Sequence, residues 1–142
     1  MDRIQLFSEE ITIQIDEEDS VKDWILLFVK SVGAHIEQLN YIFMSDEALL
    51  KMNQSYLSHD YNTDILTFPM REDPELLEAD IYISVDRVKD NAASMGNEFR
   101  DELHRVMIHG VLHLLGQDDH GENAEMMRKR EAAALKKTQI KI

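Results

Sequence analysis

The chain has no cysteine, which excludes a disulfide framework and a thiolate metal site and leaves histidine and carboxylate as the side chains able to ligate an ion. That absence also agrees with a reducing cytosol. Long apolar runs are missing too: nothing approaches the roughly 18 residues that a bilayer-spanning helix needs, so no membrane association is expected. The opening Met1-Asp2-Arg3 lacks the basic and apolar regions of a secretory signal, and a cytoplasmic location is the expectation. Bases are scarce in the first part of the chain. Residues 1 to 80 hold 18 acids against 5 bases and residues 81 to 142 hold 10 of each, for a formal net charge of -13. This imbalance disfavours long-range attraction to nucleic acid. Arg128-Lys129-Arg130 and Lys136-Lys137 are local clusters that can face phosphate, although such runs are ordinarily a solvated helix face. An acidic chain can still cleave a phosphodiester when an ion and a few local bases meet the scissile phosphate.

With 142 residues there is room for one substantial core and not comfortably for two, so residues 1–142 are expected to form a single domain. Alternation over Ile11 to Ile15 reads as a half-exposed strand, with a shorter extended piece around Ile4 and Leu6. Val21, Trp24, Ile25, Phe28, Val29 and Val32 recur at helical spacing, with Ser20 as the expected cap, Asp23 at the capping-box position and Gly33 as the stop. Tyr41 to Met44 reads as a strand, and Ser45 can cap a helix from Asp46 to about Gln54. The polar connection from Tyr56 to Asn62 leads into strand-like residues ending before Pro69 and is a candidate substrate rim. Asp80 to Ser84 alternates again, a short helix is expected from Asp86 to about Ser94, and a long helical run ends at Leu115. A last helix is expected over Glu122 to Lys137, where Ala and Met are frequent and Glu125 stands four residues before Lys129. The class is α+β.

Histidine concentrates where the long helix ends, at His109, His113 and His120. On a helix the first two lie one turn apart and about 40° apart in rotation, on one face. Gly116 can stop the helix so that the turn through Gln117, Asp118 and Asp119 brings His120 back toward the same point. A lone histidine in an apolar setting is ordinarily a satisfied core residue. Here Val106, Met107, Ile108, Val111, Leu112, Leu114 and Leu115 surround a pair, whose desolvation calls for hydrogen-bond or metal partners. Three imidazoles suit zinc, with the fourth position left to water as in catalytic sites, though the residues alone do not choose between zinc, nickel and iron.

The segments His109-Gly110-Val111-Leu112-His113-Leu114-Leu115-Gly116, Thr63-Asp64-Ile65-Leu66-Thr67-Phe68 and Asp80-Ile81-Tyr82-Ile83-Ser84 resemble the bacterial YbeY family of rRNA maturation factors. The resemblance covers roughly residues 50 to 130, in the expected order. It implies a mixed, roughly four-stranded sheet packed by helices, with a metzincin-like metal helix and turn. It further implies a zinc-dependent, single-strand-specific endoribonuclease, with one Zn2+ per chain bound by His109, His113 and His120. The expected role is 16S rRNA 3′-end maturation and ribosome quality control. Expected partners are single-stranded RNA, the small ribosomal subunit and its assembly factors. Two departures matter. The family commonly has five residues between its second and third ligand histidines, whereas six separate His113 from His120, so Asp119 stands as the alternative third ligand. Leu57 stands where the family commonly has a functional arginine; His59 is the nearby candidate to contact substrate in its place.

Arg87 is a second candidate phosphate contact, with an ion pair as the alternative role. Asp64 is readable as a proton-transfer group or, more ordinarily, as a structural acid at a strand start. A zinc metallopeptidase is the competing enzyme class, but Gly110 stands where HExxH enzymes place their glutamate base. The non-enzyme alternative is a ribosome-assembly module with a structural zinc.

Overall fold

The computed structural model describes residues 3–9, 11, 13–15, 17–57, 63–116, 129 and 131. In chain order the elements are β1 (Ile4–Ser8), α1 (Glu18–Ser31), β2 (His35–Met44), α2 (Asp46–Leu57), β3 (Ile65–Pro69), β4 (Leu76–Ser84), α3 (Val85–Met95) and α4 (Phe99–Leu114). Among the described residues the strands form one sheet in the order β1-β2-β4-β3. The first three run parallel and β3 pairs antiparallel with β4 at the edge. The fold is therefore α+β, with a mixed four-stranded sheet packed by helices. No helix among the described residues is long and apolar enough to cross a membrane.

Strand periodicity sorts the core into two layers. Leu39, Tyr41 and Phe43 of β2 and Leu77, Ala79, Ile81 and Ile83 of β4 share the larger core with apolar residues of α1, α3 and α4. The intervening Ile42 and Met44 pack on the opposite face with Leu49 of α2 and Leu66 of β3. The buried Tyr41 hydroxyl donates to the Met107 carbonyl at 3.0 Å, tying the central strand to α4. Burial pushes that phenol well above its ordinary value, so it stays protonated.

Several boundaries differ from the sequence reading. Ile11, Ile13 and Ile15 lie outside any strand and pack, partly buried, against the core, so their alternation records one-sided packing without a pairing partner. α1 begins at Glu18, ahead of Ser20, with Glu17 at φ 54° and no side-chain cap bond; Glu18 and Asp19 supply negative charge to its first turn instead. Gly33 closes that helix at φ 85°, as expected. β2 and β4 are longer than hydropathy suggests because Gln38, Asn40 and Asp80 satisfy one another along the sheet, at 3.0 Å per bond. Ser45 does cap α2, accepting from the Ala48 amide at 3.1 Å. The expected helix over Glu122 to Lys137 falls mostly outside the described residues; Lys129 and Glu131 are both helical.

On the side of α4 toward α1, His104 is 1 % exposed and its ring lies 5.7 Å from that of Trp24. Neither ring nitrogen has a hydrogen-bond partner among the described residues. Burial, assisted by Arg100, lowers its pKa below the usual histidine value, so the folded state holds the ring neutral while the unfolded chain takes up a proton. Stability from this site is present above an ordinary pKa of about 6.5 and is lost as pH falls toward the folded value. Thermal midpoints measured between pH 7.5 and pH 5.5 should fall less steeply for His104→Phe than for the parent chain; an equal fall in both would remove His104 as the cause.

Candidate metal centre

One row of α4 carries a base and two imidazoles. Arg105, His109 and His113 follow each other at four-residue intervals, while Val106, Met107, Ile108 and Val111 are buried in the core. The helix can sit close to the sheet because position 110 is glycine: a Cβ there would stand 2.9 Å from Ile65 Cδ1 and 3.3 Å from Ile81 Cγ2. The residue after His109 thus abuts β3 and β4, and the imidazoles occupy the side of the helix beyond that contact.

The Nε2 atoms of His109 and His113 converge to 3.1 Å, with ring centroids 4.7 Å apart and planes inclined at 72°. Two nitrogens on one tetrahedral zinc, each about 2.0–2.1 Å from it, are separated by about 3.3 Å. The pair therefore fits a shared ion with little adjustment. His113 stands in the last turn of α4, where the negative end of the helix dipole favours a cation. His113 also opens onto a groove of about 340 Å³ between the helix end and the β3 edge, lined by Thr67, Pro69, Arg71, Glu72 and Gly116 among others.

Behind the imidazoles lies a charge cluster that spacing alone did not reveal. Arg105 donates to both carboxylate oxygens of Glu102, at 2.9 and 2.7 Å, and to Oε1 of Glu131 at 3.0 Å. The same guanidinium stands 3.8 Å from Asp64 Oδ2. The Glu102 and Glu131 side chains are 0 % and 3 % exposed. The other oxygen of Glu131, Oε2, is hydrogen-bonded to His109 Nδ1. The Glu102 bond, followed by Coulomb attraction, pushes Arg105 above its already high ordinary value and keeps it charged. Asp64 moves upward, because burial outweighs the lowering by Arg105 and His109. Three carboxyl groups around one guanidinium give the neighbourhood of the histidines an excess of negative charge that suits a cation.

The other expected site residues are distributed unevenly. His120 and its alternative Asp119 lie outside the described residues, as does His59, while Leu57 is the last residue of α2. Among the described residues no group of three or more His, Cys, Asp or Glu stands ready to hold a metal ion. Arg87 is 31 % exposed and donates to Asp46 Oδ2 at 2.8 Å, while the Ser84 hydroxyl donates to the other Asp46 oxygen at 3.1 Å. The Arg105 row was legible in principle, since Glu102 and Arg105 form an i,i+3 pair one turn before His109. Glu131, 22 residues beyond His109, had no local signal.

A family model described as Endoribonuclease YbeY matches residues 3–139. The chain belongs to that family. It is 46 % identical over 133 residues to the Endoribonuclease YbeY of Cytophaga hutchinsonii, covering 93 % of each chain. It is 43 % identical over 130 residues to that of Amoebophilus asiaticus, covering 91 % of this chain and 88 % of the relative. The solution structure of a Thermotoga maritima protein superposes with a TM-score of 0.66 at 28 % identity, over 94 % of this chain and 87 % of that one. Membership in the YbeY family supports a nuclease role and RNA-related partners for this chain.

Truncating Arg105 leaves Glu102 buried without its counter-charge, and breaking such pairs costs about 3 kcal/mol or more. Urea unfolding of Arg105→Ala is expected to show a loss of that order, with a much smaller loss for a surface control such as Lys51→Ala. Equal midpoints for Arg105→Ala and the parent would show that the cluster contributes nothing to the fold.

Proposed function

We propose that the chain is a zinc-dependent endoribonuclease of the cytoplasm that cleaves single-stranded RNA, acting in 16S rRNA 3′-end maturation and ribosome quality control on the small ribosomal subunit. The observation that carries the reading is the convergence of the two Nε2 atoms beside an open groove, in a chain of an endoribonuclease family. His109 and His113 would hold the ion, with His120 as third ligand. When bound, zinc supplies Lewis-acid chemistry, polarising a phosphoryl oxygen and making water more acidic. The helix fixes the spacing of the two imidazoles, the Gly110 contact fixes their distance from the sheet, and the apolar layer beneath excludes water from their inner side. Asp64 stands beside Arg105, and burial moves its carboxyl group above the ordinary aspartate range, which makes it the nearby candidate for proton transfer.

RNA binding must work against the chain's overall acidity, so local donors matter. Arg87 is partly exposed and its partner Asp46 holds the guanidinium in a fixed orientation; a phosphate would share it with that carboxylate. His59 is the corresponding candidate on the rim that follows α2. The metallopeptidase alternative is disfavoured by geometry as well as by sequence. Gly110 is buried against Ile65 and Ile81, and the glutamate of an HExxH site would require those side chains to shift.

Metal content and cleavage of a single-stranded RNA should be lost together in His113→Ala and in His120→Ala, each by more than the roughly 100-fold that loss of an outer-shell partner costs. Full cleavage by a folded, zinc-free variant would overturn the metal-dependent mechanism. Zinc and cleavage both retained in His120→Ala would transfer the third position to Asp119. Peptide hydrolysis without RNA cleavage would favour the peptidase reading.

A further inference from the structure

Each imidazole has two nitrogens, and only one of them can serve an ion. In His109 the choice is already made by the surroundings: Nε2 faces His113, and Nδ1 on the other edge of the ring meets the carboxylate of Glu131. A carboxylate accepts and cannot donate, so this contact holds a proton on Nδ1 and leaves the Nε2 lone pair directed at the shared point. Glu131 is itself held. Its second oxygen accepts from Arg105, whose Nε and Nη2 donate to Glu102, and both acids are buried. Glu131 therefore stands on the ring edge away from the converging nitrogens.

We propose that Glu131 is a positioning residue for His109, fixing its tautomer and ring orientation, with Arg105 as the clamp that keeps Glu131 in place. The inference rests on the reading of the histidine pair as a metal centre for its consequence, though the tautomer it sets exists without any metal. It also gives Glu131 a chemical task that brings a residue from beyond His120 in the sequence against Arg105 and His109 of α4. An anionic acceptor additionally raises the basicity of the opposite nitrogen, strengthening His109 as a ligand.

The test uses the full chain with Glu131→Gln and Glu131→Ala. In the metal-free protein, long-range 15N–1H spectra of the His109 ring should show the Nδ1–H tautomer in the parent. Glu131→Ala should shift the ring toward the Nε2–H form. Zinc affinity, measured by competition with a chromophoric chelator, should fall about 10- to 100-fold in Glu131→Ala. Glu131→Gln, which retains an acceptor oxygen and the volume but not the charge, should fall between the two in both readouts. It also serves if the alanine variant does not fold. An unchanged His109 tautomer together with parental zinc affinity in a folded Glu131→Ala or Glu131→Gln would overturn the proposal. His113→Ala separates this from the underlying reading: parental zinc affinity in that variant removes the histidine pair as the metal centre, while the tautomer measurement still decides the role of Glu131.

Discussion

The constraint on which the rest depends is that α4 must serve two environments at once. One side is pressed into the larger core, where Val106, Met107, Ile108 and Val111 are buried. The row at four-residue spacing, Arg105, His109 and His113, has to keep polar groups satisfied at the edge of that apolar layer. Glycine at position 110 settles the distance between helix and sheet, since any Cβ would press on Ile65 and Ile81. Both imidazoles inherit their position from that contact.

The charge cluster behind the histidines is an expensive way to build a core. Buried ion pairs of this kind are often matched or exceeded in stability by well-packed apolar residues of the same volume, because desolvation offsets much of the Coulomb gain. Fold stability alone therefore gives little reason for placing Glu102, Arg105 and Glu131 there. Their connection to His109 Nδ1 does give one: a rigid, anionic neighbour that orients the ring and favours a cation at its other edge. Arg105 spreads a single positive charge over several acids, so the cluster stays negative overall while every buried carboxylate has a donor.

Much of this was legible in the sequence where the signal was local. The apolar spacing in α1, the cap at Ser45, the glycine stops and the His109–His113 pair all depend on residues within a few positions of each other. The first half of β2 was concealed because Gln38 and Asn40 interrupt the hydropathy while Gln38 bonds Asn40 along the strand and Asn40 bonds Asp80 across to β4. Ile11 to Ile15 carried strand alternation that the fold uses for packing alone. Glu131 escaped because its significance depends on tertiary contact with Arg105 and His109, on a segment whose composition announces only a helix. The resemblance in the His109 and Asp80 segments carried the functional expectation further than residue chemistry could, and the family match supports it at the level of a nuclease.

Anomalous diffraction at the zinc edge from crystals of the zinc-loaded full chain tests the central claim most directly. The account predicts one zinc peak per chain, bonded by Nε2 of both His109 and His113, with Glu131 remaining on His109 Nδ1 and outside the coordination shell. Zinc bound through the Glu131 carboxylate, or located away from the histidine pair, would contradict it.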